Sequence, residues 1–187
     1  MDQDLVVRVQ NGDQRAFEAL VVTDHRRLYR AAYGILRDLQ LAEDATQQAL
    51  LDIWCDIRRL REPAQYEAWS YRLLVRVCYA EAKRRPRWQT AGDISPADEP
   101  RTADAYGGVV DRDQLERGFR RLSMDHRVVL ALRFLLGLTP EQVAEVLDLP
   151  RSTVYSRLQA AVKAMRAALD ADVRRVTTTM RQQEALR

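Results

Sequence analysis

The chain has 187 residues, with 30 Lys and Arg against 27 Asp and Glu, a formal charge of +3 and 47% hydrophobic residues. Two cysteines exclude a disulfide-stapled scaffold, and no apolar run approaches the roughly 18 residues a membrane helix needs. The acidic start MDQDLVVRVQ is the reverse of a secretory signal, so a cytoplasmic protein without direct membrane insertion is expected.

Helical periodicity dominates, and alternating strand patterns of useful length are absent. Helices are predicted over 3–10, 14–36, 39–57, 66–85, 114–122, 124–135, 140–147 and 150–170. Asn11–Gly12–Asp13 separates the first two, and Glu62–Pro63 precedes the fourth. Residues 86–113 differ from the rest, holding three of the six Pro and three of the seven Gly without apolar periodicity. Charge sharpens the boundary. Residues 1–88 carry 15 basic and 13 acidic side chains, 89–113 carry 2 and 6, and 114–187 carry 13 and 8. The expected fold is therefore all-α, with two small helical domains joined by a flexible acidic linker. The limits read as 1–88, a linker at 89–112, 113–170, and a tail at 171–187 with little to bury.

Enzyme chemistry is poorly supplied. His25 and His126 have no partner at metal-ligand spacing, and no HExxH, CxxC, GxSxG or P-loop string occurs. Cys55 and Cys78 read as packed, reduced thiols. No catalytic residue, metal or cofactor is expected.

Three helical faces remain. On the helix over 39–57, Ala42, Ala45, Ala49, Leu50, Ile53, Trp54 and Ile57 form a stripe for the core. Asp44, Gln47, Gln48 and Leu51 lie nearly opposite, as either a protein-docking patch or an ordinary solvated face with one exposed Leu. On the helix over 66–85, Arg72, Arg76, Tyr79 and Lys83 make a basic stripe with Trp69 at its edge. It suits a phosphate track with a stacking ring, or simply a solvated cationic face.

The third face is the sharpest. In LTPEQVAEVLDLPRSTVYSRL, Thr139 caps a helix beginning at Pro140, and Gln142 completes a capping box. Val143, Ala144 and Leu147 face inward, Asp148 and Leu149 turn the chain, and Pro150 starts the next helix at helix-turn-helix spacing. Val154, Leu158, Ala161, Val162, Met165 and Leu169 give that helix its apolar stripe. Ser152, Ser156, Gln159 and Lys163 collect opposite, flanked by Thr153, Tyr155 and Arg157. Short hydroxyls, an amide and cations are what base edges and phosphates in a major groove accept.

In order and position these faces resemble a bacterial sigma factor of the extracytoplasmic-function group, the form built from regions 2 and 4 of the sigma-70 family. LYRAAYGILRDLQLAEDATQQALLDIW is similar to region 2.1–2.2, YEAWSYRLLVRVCYAEAKRR to regions 2.3–2.4, and LSMDHRVVLALRFLLGLTPEQVAEVLDLPRSTVYSRLQAAVKAMR to region 4. The resemblance implies promoter recognition and DNA melting as a subunit of RNA polymerase, with a stand-alone helix-turn-helix regulator as the alternative. It implies that Asp44, Gln47, Gln48 and Leu51 dock on the β′ clamp. It places the −10 element and its melted strand on the loop from Arg61 to Tyr66 and on Trp69, Arg72, Arg76, Tyr79 and Lys83. The −35 element falls to Arg151, Ser152, Thr153, Tyr155, Ser156, Arg157, Gln159 and Lys163, while neighbouring helices hold the β flap. An anti-sigma partner is a further implication. The chain departs from the usual pattern at Arg76 and Ala80, where members commonly carry Asn and Asp, and at Tyr155, commonly Lys.

Overall fold

A computed structural model describes residues 2–84 and 112–184, with side chains at 2–84 and 114–171. The expected linker, 89–112, lies outside the described residues except for Arg112, which begins a helix. Helices α1 (Gln3–Gln10), α2 (Gln14–Leu36), α3 (Leu39–Asp56) and α4 (Tyr66–Arg84) form the first group. Helices α5 (Arg112–Arg120), α6 (Met124–Leu130), α7 (Pro140–Leu147) and α8 (Arg151–Glu184) form the second. No strand occurs among the described residues.

Short polar side chains start these helices by accepting from amides that have no intrahelical partner. Asp13 accepts from the Ala16 amide, Asp38 from Leu41 and Ser123 from His126. Asp13 is also bonded by Arg8, and the Ala16 amide and that guanidinium hold its carboxyl below the usual carboxylate range.

In the first group, Val6, Val9, Leu20, Leu28, Ile35, Ile53 and Leu74 are buried where α1, α3 and α4 close on α2. In the second, Val128, Val129, Leu132, Val143, Val146, Val154 and Ala161 fill the space among α6, α7 and α8. Burying each large aliphatic side chain contributes about 1.5–3 kcal/mol, enough to hold short helices that would not persist alone. The two cores meet in one continuous apolar cluster, because α2 packs on α6 and α4 on α7.

Three local features depart from the sequence reading. The helix expected over 124–135 changes at Ala131–Leu135 into a wider π turn, closed by the Leu136 amide on the Ala131 carbonyl at 3.2 Å. Residues 57–65 contain two 3-10 turns, Ile57–Arg59 and Pro63–Gln65, which step the chain from α3 to α4. Finally, α8 continues to Glu184 rather than ending near Asp170, as a stretch without Gly or Pro after Pro150 permits. Cys78 is buried, and burial pushes its thiol up to about 12. Cys55, expected in the core, is exposed.

Candidate functional site

On α3 the structure separates the two sides of the helix as the periodicity requires. Ala42, Ala45, Ala49 and Ile53 are fully buried, while Asp44, Gln47, Gln48 and Leu51 are exposed. Leu51 leaves 59% of its surface in solvent. Gln47 donates to Glu43 at 3.1 Å and Gln48 to Asp52 at 2.8 Å, so the amides frame the leucine in a polar border. Trp54 belongs to this surface as well, which corrects its placement in the core stripe. It is 40% exposed and leans on Phe17, with ring centroids 4.5 Å apart. The missed signal is that Trp54 lies only three residues beyond Leu51, on the border between the two faces.

At the start of α4 the structure overturns one expectation. Tyr66, read as a −10 contact, is fully buried, and its hydroxyl donates to Asp24 Oδ2 at 2.6 Å. Burial, reinforced by that carboxylate, raises its pKa far beyond the ordinary phenol. Arg27 donates to the same Asp24 oxygen at 2.9 Å and to Ser70 Oγ at 2.9 Å, and lies 4.3 Å over the Tyr71 ring. Asp24 on α2 thus anchors α4 and the 3-10 turns before it. The ring is unavailable because it fills a core position, one turn before Ser70 and two before Leu73 and Leu74.

Arg61 is exposed on the connecting segment and Trp69 is half-buried. Further along α4, Arg76 and Lys83 project into solvent. Arg72 and Tyr79 are half-buried, and each meets a residue of the second group. Arg72 Nη2 donates to the Glu145 carbonyl at 2.7 Å, and the Tyr79 hydroxyl donates to Asp125 Oδ1 at 2.6 Å.

The helix-turn-helix forms as its caps dictate. Thr139 and Gln142 exchange both capping-box bonds, the Gln142 amide on Thr139 Oγ1 and the Thr139 amide on Gln142 Oε1 at 2.8 Å. Asp148 takes the left-handed conformation at φ 52°, ψ 48°, closing α7 where Gly is the easier residue. Val143 and Ala144 are buried as expected, joined by Val146, while Leu147 is half-buried. On α8, Arg151, Ser152, Tyr155, Ser156, Gln159 and Lys163 are exposed, whereas Thr153 and Arg157 are half-buried. Tyr155 donates to Glu141 Oε1 at 3.1 Å, and this bond to a carboxylate raises its pKa. Phe134, on the π turn, is 64% exposed and was not singled out by the sequence reading.

No group of His, Cys, Asp and Glu that could hold a metal occurs among the described residues. No described helix is long and apolar enough to cross a membrane.

Known families account for both helical groups. The profile for sigma-70 region 2 matches residues 20–88, and that for sigma-70 region 4 matches residues 112–165. The chain belongs to the sigma-70 family. It is similar to the RNA polymerase sigma-H factor of Pseudomonas aeruginosa, 28% identical over 90% of this chain and 93% of the relative. It is also similar to the ECF RNA polymerase sigma-E factor of Escherichia coli K12, 29% identical over 88% of this chain and 92% of the relative. These relatives place the sigma factor in the extracytoplasmic-function group. Among solved structures, CnrH in complex with the cytosolic domain of CnrY superposes with a TM-score of 0.69 at 22% identity, covering 91% of this chain and 98% of that one. RpoE of Bartonella quintana, in complex with the anti-sigma factor NepR, gives 0.63 at 21% identity, covering 83% and 98%. At those identities the superpositions speak for the fold. As a sigma factor, this protein serves in promoter recognition and transcription initiation.

Proposed function

We propose that the exposed faces divide the work of a sigma factor. Residues 1–88 hold core RNA polymerase and the −10 element, and residues 113–170 read the −35 element. Asp44, Gln47, Gln48 and Leu51, extended by Trp54, meet the β′ clamp. Arg61, Trp69, Arg72, Arg76, Tyr79 and Lys83 meet the −10 DNA, with Tyr66 withdrawn to the support of that surface. Arg151, Ser152, Thr153, Tyr155, Ser156, Arg157, Gln159 and Lys163 meet the −35 duplex, and Phe134 is offered to the β flap. The observation that carries the reading is the helix-turn-helix, whose cap, turn and buried stripe leave hydroxyls, an amide and cations outward on α8.

Such a protein works without catalysis of its own. Flipped bases captured on a basic, aromatic surface offset the few kcal/mol that unstacking costs. The chemistry remains with the polymerase, and no cofactor or metal enters. The protein acts in the cytoplasm, and an anti-sigma partner would cover the apolar Leu51, Trp54 and Phe134 between rounds.

Runoff transcription from a genomic library, with purified core polymerase plus this protein and start-site mapping, tests the function directly. Transcripts sharing upstream elements are expected. No protein-dependent start, together with duplex binding in the absence of core, would identify a stand-alone regulator instead. On a mapped promoter, Arg151→Ala is expected to weaken holoenzyme binding and to lower the slope of log K against log salt by about one, the share of a single phosphate contact.

A further inference from the structure

Helix α1 lies outside the region 2 match, which begins at residue 20. Val6 and Val9 bury its inner side, and it packs on both 3-10 turns between α3 and α4. Its last residue reaches into those turns. The Gln10 side-chain amide Nε2 donates to the Leu60 carbonyl at 2.6 Å and to the Ile57 carbonyl at 3.1 Å, which uses both of its hydrogens. Just beyond, Gly12 takes a φ of 87°, and a Cβ there would lie 3.1 Å from Arg58 Nη2, so the α1–α2 turn also touches the first 3-10 turn. These contacts fix the point where the exposed loop begins. Leu60 is buried, Arg61, Glu62, Ala64 and Gln65 are exposed, and Tyr66 is buried again with its hydroxyl on Asp24. Pro63 restricts the backbone between them, and the Gln65 amide closes a turn on the Glu62 carbonyl at 2.9 Å. No side chain between Leu60 and Tyr66 is buried, so the anchors at the two ends carry the loop's position.

Resting on the proposed place of the −10 element on this loop, we propose that Gln10 is a positioning residue for −10 recognition. Through it, α1 holds the loop in the shape that takes a flipped base before the DNA arrives. A captured base has to offset the cost of leaving the stack. A loop that became ordered only on capture would subtract its own conformational entropy from that gain, whereas a loop already pinned at Leu60 and Tyr66 does not. Gln10 acts through the Ile57 and Leu60 carbonyls and does not touch the DNA. What the position requires is therefore a pair of donors. A glutamate of the same shape would set a carboxylate against both carbonyls, while a lysine would still donate to them.

Holoenzyme assembled from core polymerase and the full chain supplies the test, with wild type, Gln10→Ala, Gln10→Glu and Gln10→Lys compared. Each is titrated with a labelled non-template single strand spanning the −10 element of a mapped promoter, and with strands in which one −10 base at a time is replaced by an abasic site. Wild type is expected to lose affinity when the base held by the loop is removed. Gln10→Ala and Gln10→Glu are expected to bind the intact strand about tenfold more weakly, as when the competent loop falls to a tenth of its population, and to lose little more on the abasic strand. Gln10→Lys is expected to stay within about threefold of wild type, because its ammonium keeps donors for both carbonyls. A merely structural role would instead weaken every strand alike and leave the wild-type pattern of base preference in place. Such a uniform loss overturns the proposal, as does wild-type binding by Gln10→Ala. Loss of core binding by Gln10→Ala and Gln10→Lys alike also overturns it, since α1 would then serve folding alone. A wild-type holoenzyme indifferent to every base removed rejects the placement of the −10 element on this loop, and the proposal with it. Base selectivity kept unchanged in Gln10→Ala rejects the role of Gln10 only.

Discussion

Replacing Asp24 by Ala is expected to destabilise the first helical group by about 3–5 kcal/mol, the cost of leaving a buried charge without its partner. Asp24 is fully buried, and one of its oxygens accepts from both Tyr66 and Arg27. Burial works against the Arg27 charge, and the Asp24 carboxylate and Tyr71 together more than offset it, so Arg27 titrates above its ordinary value. Two guanidinium nitrogens of Arg27 already lack a hydrogen-bond partner, so once the carboxylate is gone the charge keeps only the Ser70 hydroxyl, the Tyr71 ring and the half-exposed Glu67 at 3.9 Å. Tyr66→Phe should cost less, about 1–3 kcal/mol, because it removes one donor and leaves the ion pair intact. Urea unfolding of the full chain measures both, with the midpoint falling in the order wild type, Tyr66→Phe, Asp24→Ala. Equal midpoints for all three would mean that water relaxes this cluster and that α4 is held by its apolar contacts alone.

That cluster also shows where sequence reading stops. Helix limits followed from apolar spacing and from caps whose chemistry is local, as at Thr139 and Gln142, and apart from the far ends of α6 and α8 they recur in the structure within about two residues. Leu51 was legible as exposed because a helix has a fixed angular period. Tyr66 was not legible as buried, since its partner Asp24 lies 42 residues away on another helix, and a tyrosine beside a basic stripe reads equally well as a stacking platform. Trp54 failed for a related reason. It sits on the border of the stripe, and only the position of Phe17 on α2 decides how much of it stays out. The packing of the two helical groups on one another was invisible, because charge and periodicity describe each group by itself. Asp125, Tyr79 and Arg157 carry no local signal that they meet. The region matches span all three faces that periodicity had placed, but they say nothing of which faces are covered in the free chain.

Leu51→Asp carries the largest functional effect. Leu51 and Trp54 form an apolar island bordered by Asp44, Gln47, Gln48 and Asp52, the arrangement of a compact docking centre with a polar rim. An aspartate at its middle would have to be buried without a cation on this helix face. Core polymerase affinity is expected to fall by at least about 2 kcal/mol, near thirtyfold. The same substitution should move the unfolding midpoint little, because the side chain is mostly in solvent, and surface changes of this kind stay within about 0.5 kcal/mol. Trp54→Ala is the weaker probe, since losing the Phe17 contact would lower stability and docking together. Titration of labelled protein with core, alongside thermal melting, separates the two effects. A thirtyfold loss with an unchanged melt assigns the face to the polymerase. Unchanged affinity would make Leu51 an ordinary exposed leucine and would shift the main anchor to Phe134 on the π turn, the most exposed aromatic ring among the described residues.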